Sequence, residues 1–128
     1  MKEIAKFSTQ CLTYQFLATV FFKGGGLIVD ITGPNDHLGG IGIGVPYLRK
    51  NGDKSANFHC ISFPSHRDGE LAASIARIIA KITCCYTVVI FGIHIPAITK
   101  AQINEITHKL ENWVTDWSRQ LPSEVFSN

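Results

Sequence analysis

The chain has 128 residues with 12 basic and 10 acidic side chains, a net charge of +2, and 17% charged against 45% hydrophobic residues. That length fits one domain, 1–128, whose single core needs neither disulfide nor metal. The mixed-charge start Met1–Lys6 lacks a signal-peptide pattern, no apolar run approaches a membrane span, and no basic stripe suits nucleic acid, so a cytoplasmic protein is expected.

Thr13–Phe22 is rich in β-branched and aromatic residues and reads as a strand. Lys23-Gly24-Gly25-Gly26 then turns the chain into a second strand over Leu27–Thr32, making a hairpin. Gly33-Pro34-Asn35-Asp36 is another turn. From His37 to Tyr47 glycine alternates with isoleucine or valine, which is strand periodicity with one face bare of side chains. A polar loop over Arg49–Ser55 leads to a fourth strand over Ala56–Ser62. The first helix starts near Ser65–Asp68 and carries an apolar stripe of Leu71, Ile75, Ile78, Ile79 and Ile82. Tyr86–Phe91 is almost wholly apolar and reads as a central strand covered on both faces. Thr99 and Gln102 have capping-box spacing at the start of a second helix. Ile103, Ile106, Leu110, Trp113, Val114 and Trp117 form its apolar side, and Pro122 closes it. The expected class is α+β, a mainly antiparallel sheet with two helices packed on one face, in the order ββββαβα.

The charged share is below the usual quarter, leaving apolar surface for a ligand, a partner or a second copy, so a homo-oligomer is expected. Cys11, Cys60, Cys84 and Cys85 lack zinc spacing and fit reduced thiols, with Cys84 and Cys85 in the core.

Three histidines, His37, His66 and His94, fall in loops at element ends, where scaffolds carry function. Either they converge on one site or each caps its own turn. Ser65-His66-Arg67-Asp68-Gly69-Glu70 opens a helix, where free N–H groups and Arg67 suit a phosphate. Asp68 and Glu70 could equally complement the helix dipole themselves. Gly39-Gly40-Ile41-Gly42-Ile43-Gly44 is not a dinucleotide fingerprint, because a strand follows it. Its glycines mark a close approach, whether of a flat ring, a packed helix or a partner subunit.

Asp36-His37-Leu38-Gly39-Gly40, Pro64-Ser65-His66-Arg67-Asp68-Gly69-Glu70-Leu71 and Val88-Val89-Ile90-Phe91-Gly92-Ile93-His94 together resemble a known family. It is the prenylated-flavin chaperone-like small D-type subunit of gallate- and vanillate-type phenolic-acid decarboxylase systems. The resemblance covers roughly Gly26 to Trp113, with departures at Ser65, often glycine in the family, and at Pro96, often polar or acidic. It implies a non-catalytic accessory protein that binds reduced prenylated flavin mononucleotide (prenylated FMN). Such a protein helps mature or supply an aromatic-acid decarboxylase, with that decarboxylase and the flavin prenyltransferase as partners. The resemblance implies ligand or partner contacts from His37, His66, Arg67, Asp68, Glu70 and His94, and close backbone approach at Gly39 and Gly40. Two other readings stand beside it. One is a small metal-dependent enzyme with His37, His66 and His94 as ligands, since catalytic zinc commonly has three protein ligands. The other is a structural subunit with no small ligand.

Overall fold

The computed structural model describes residues 1–63 and 68–127. The chain runs through β1 (Lys2–Cys11), β2 (Tyr14–Lys23), β3 (Gly26–Thr32), β4 (Gly40–Leu48), β5 (Lys54–Ser62), α1 (Asp68–Thr83), β6 (Tyr86–Phe91), α2 (Lys100–Ser118) and the short α3 (Ser123–Phe126). The strands form one sheet in the order β1-β2-β3-β6-β4-β5. Among the described residues only β3 and β6 are parallel; the other neighbours are antiparallel.

The α+β class and the two helices on one face are as expected, and the order gains a strand. The charges at Lys2, Glu3 and Lys6 hide β1 in the sequence. It forms because Ala5, Phe7 and Thr9 turn inward while Lys6, Ser8 and Gln10 stay in water. Phe7 stacks on Trp117 of α2 with ring centroids 4.8 Å apart. The β2–β3 hairpin closes through Gly24 and Gly25, whose φ angles of 49° and 85° suit a two-residue turn matched to strand twist.

One sheet face and both helices share the core. Phe16, Val20, Leu27, Val29, Ile31, Val89 and Phe91 meet Ile75 and Ile79 of α1 and Leu110, Val114 and Trp117 of α2. Helix α1 lies over β4, β5 and β6, and α2 packs on α1 and reaches β1.

The glycine alternation of β4 has its cause here. A Cβ at Gly40, Gly42 or Gly44 would fall on the backbone of Gly69, Ala72 or Ala76. The close approach at these glycines is therefore that of α1, which fills the bare face the sequence predicts. It also shifts the helix stripe: Ala72, Ala76 and Ala80 are buried, whereas Leu71, Ile78 and Ile82 are only half-buried.

Two further expectations are corrected. Strand β6 is central, but within the chain only one of its faces is covered; Val88 and Ile90 look out from the other, half-buried. Cys85 is in the core, whereas Cys84 is exposed at a left-handed φ of 58°, where the chain leaves α1. All four cysteines are free thiols.

Candidate functional site

The site lies where β3 and β6 end side by side and α1 begins. Two loops meet there. The segment after β3 crosses the end of β6: the His37 amide donates to the Gly92 carbonyl (3.2 Å), and the Gly39 amide donates to that of Phe91 (3.2 Å). The segment after β6 returns the tie, as the His94 amide donates to the Pro34 carbonyl at 3.0 Å. The Asn35 side-chain amide completes it by donating to the His94 carbonyl at 2.9 Å. Asn35 has a φ of 50°, a conformation asparagine tolerates better than most side chains. The His37 and His94 loops are thus a single tied unit.

Both ring nitrogens of His37 face an oxygen. Its Nδ1 lies 3.0 Å from the Asn35 carbonyl, which makes Nδ1–H the donor. Its Nε2 lies 3.6 Å from Oδ2 of Asp68, the first residue of α1. The Asp68 side chain is only 15% exposed. Gly39 makes room for it, because a Cβ at Gly39 would collide with the Asp68 carboxyl. Gly39 therefore serves the seating of α1, as Gly40 does.

On its other side Asp68 borders a cleft of about 860 Å³ between α1, the segment after β6 and the first turns of α2. One wall is apolar: Phe91, Ile93, Ile95, Ile98, Ile103 and Ile106. The lining also carries the carboxylates of Asp68 and Glu70 on α1 and of Glu111 on α2, with Ser74 donating its hydroxyl proton to Glu111 and so tying α1 to α2. Lys100 and His94 stand exposed at the rim. Its volume falls within the range of small-molecule pockets, and its lining joins apolar side chains to a few polar ones.

Of the residues expected from the sequence, Asp68, Glu70 and His94 line the cleft, and His37 contacts Asp68 from behind. His66 and Arg67 lie outside the described residues, as does Ser65. Among the described residues no group of three or more His, Cys, Asp or Glu is placed to hold a metal; the three-histidine set includes His66 and so lies partly outside them. Sequence reasoning missed Lys100 and the isoleucines after β6. One signal was available. Lys100 puts a cation in the first turn of α2, the end where the helix dipole disfavours one and favours an anion. Ile103, expected on the apolar side of α2, is 47% exposed and lines the cleft.

Among the described residues no helix is long and apolar enough to cross a membrane. A comparison with curated proteins finds none that matches the chain. The family model of the prenylated flavin chaperone LpdD-like domain, however, matches residues 10–122, and the chain belongs to that family.

Proposed function

We propose that the chain binds reduced prenylated FMN in the α1–α2 cleft and passes it to a prenylated-flavin-dependent aromatic-acid decarboxylase. The observation that carries this reading is the cleft, in a chain of this family. Its residues fit the cofactor's three chemistries. The fused rings and prenyl carbons are apolar, and the isoleucine wall offers matching surface. The reduced ring system presents N–H donors, which Glu70 and Glu111 can accept. The phosphate needs a cation, and Lys100 supplies one beside the first turn of α2. When bound, the cofactor supplies the decarboxylation chemistry of its partner enzyme. This chain's residues bind it, orient it and shield its rings from water.

In this reading the flavin prenyltransferase is the source of the cofactor and the decarboxylase its destination. Transfer takes place in the cytoplasm, and the working unit is a homo-oligomer. The cleft is open at Lys100, His94 and Ile103, so a ligand can leave without unfolding the core.

The test is an anaerobic fluorescence titration of the purified chain with reduced prenylated FMN and, in parallel, reduced FMN. Saturable binding is expected, tighter for the prenylated form. Lys100→Ala should weaken it about tenfold, the worth of one charge-assisted hydrogen bond, and flatten its salt dependence. A folded wild-type chain that binds neither flavin would sink the reading.

A further inference from the structure

We infer that the open edge of β5 takes up an extended, acid-bearing segment of a partner protein as a further strand of the sheet. The two edges of the sheet are β1 and β5, and they are built differently. Edge strands present unpaired backbone groups, which proteins blunt with charges, bulges or a covering element. Strand β1 has all three. Its register shifts between Glu3 and Ala5, Lys2 and Lys6 form ion pairs with Glu124 and Glu3, and Phe7 stacks on Trp117 of α2. Strand β5 has neither charge nor bulge from Ser55 to Ser62: that run holds no Lys, Arg, Asp, Glu, Gly or Pro and pairs with β4 in one register. Every residue from Asn57 to Ser62 is exposed. The backbone shows which groups are free. The Phe63 amide donates to the Gly39 carbonyl in line with the β4–β5 register, so Asn57, His59 and Ile61 turn their N–H and C=O toward β4. Ala56, Phe58 and Cys60, which alternate with them, turn theirs outward. Arg77 of α1 reaches the first of these, its Nε–H donating to the Ala56 carbonyl at 3.0 Å. Among the described residues nothing does the same for Phe58 or Cys60. The Phe58 side chain, 56% exposed, offers an aromatic anchor beside them.

The occupant is a segment of the decarboxylase that receives the cofactor, so the inference rests on the proposed function. Charge and position favour it. Lys54 and Arg77 stand along the edge, and β5 holds no carboxylate. A second β5 therefore has nothing to set against these cations, whereas a strand carrying Asp or Glu does. In strand addition the main-chain hydrogen bonds supply affinity and the alternate side chains supply specificity. Strand β5 ends against the first turn of α1, where a Cβ at Gly69 would meet the Ser62 hydroxyl and the Cys60 sulfur. Asp68 and Glu70, on either side of Gly69, line the cleft. A segment on β5 thus holds its protein one helix away from the cleft and leaves the rim at Lys100 and Ile103 open.

The probe is the purified prenylated-flavin-dependent aromatic-acid decarboxylase of the same organism, mixed with the full chain. Amide hydrogen exchange is followed across β5 with and without it. In the free chain the Phe58 and Cys60 amides should exchange fast and those of His59 and Ile61 slowly. In the mixture the Phe58 and Cys60 amides should slow at least about tenfold. Phe58→Pro removes an outward N–H, which an edge strand tolerates, and should weaken the complex about tenfold or more while leaving the flavin titration as in wild type. Added salt should weaken the wild-type complex. If Phe58→Pro does not fold, the exchange result on the wild-type chain decides alone. The inference is overturned by the absence of a complex, by a complex in which both amides stay fast, or by a Phe58→Pro chain that binds as wild type does. Protection of both amides in the free chain also overturns it, because a second copy then holds the edge. A chain that docks through β5 and binds neither flavin removes the cofactor reading alone, so the two failures can be told apart.

Discussion

Helix α1 has one side against β4 and another against α2, and the two contacts differ in kind. On the β4 side, Gly69, Ala72 and Ala76 sit on Gly40, Gly42 and Gly44 with no room for a further methyl group. On the α2 side, Leu71, Ser74 and Glu70 look across a cleft at Ile103, Thr107 and Glu111. The close seam draws α1 down onto β4. Helix α2 is held lower along its length by Leu110, Val114 and Trp117, which are buried, while Ile103 in its first turns stays exposed. The pocket is therefore a by-product of where small residues allow close packing and where large ones are anchored.

The largest expected effect is at the seam. Gly42→Val puts three carbons onto the Ala72 backbone, which cannot move without the helix. A loss of about 3 kcal/mol in urea unfolding is expected, at the high end for overpacking. A near-neutral result would mean that α1 can lift from β4, and the seam would no longer explain the cleft.

The next contrast lies along α2. Leu110 is fully buried and Ile103 is not. Leu110→Ala should cost about 2–5 kcal/mol of stability, whereas Ile103→Ala should cost within about 0.5 kcal/mol and weaken flavin binding instead. Equal stability losses from the two would show that the first turns of α2 close onto α1 in solution.

The smallest effect concerns the face away from both helices. Burial, and to a lesser degree the neighbouring Asp36, pushes the Asp30 carboxyl above its ordinary range. A raised carboxyl holds its proton more tightly in the folded chain than in the unfolded one. Stability from this group therefore grows as pH falls from the raised value toward the ordinary one, and is level below it. Asp30→Asn should be no less stable than wild type at neutral pH and should lose that acid-range slope. Denaturant unfolding over an acid pH series reads it; an unchanged slope would assign the pH dependence to another group.

Much of the fold is legible in the sequence because its signals are local. The Gly-Gly turn, the apolar run Tyr86–Phe91 and the Thr99–Gln102 capping box each declare themselves within a few residues, and the box forms with both of its hydrogen bonds. Strand β1 is illegible because its partner supplies the reason for it: Lys2 and Lys6 look like a solvated tail until Phe7 meets Trp117. At the site, His37 and His94 declare themselves as histidines in loops. That their loops are tied together depends on backbone hydrogen bonds from His37 to Gly92 and from His94 to Pro34, distant in sequence, which leave no mark on residue type. Lys100 was visible as a cation at the wrong end of a helix. The isoleucine wall was not, because Ile103 has the same spacing as the buried residues that follow it.

The place of β6 in the sheet also bears on how the molecule assembles. Strands β2 and β3 can pair as soon as they are made, and so can β4 and β5, since each pair is adjacent in sequence. Strand β6 follows both hairpins in the chain and lies between them in the sheet. Until it is inserted, β3 and β4 have no common neighbour, the Gly39 and His37 amides lack their carbonyl partners, and the cleft lacks the wall that follows β6. Contacts this distant in sequence come at a cost in chain entropy, so they slow folding relative to the hairpins. Neither hairpin carries the cleft in reserve; it can close only after the last strand has turned two hairpins into one sheet.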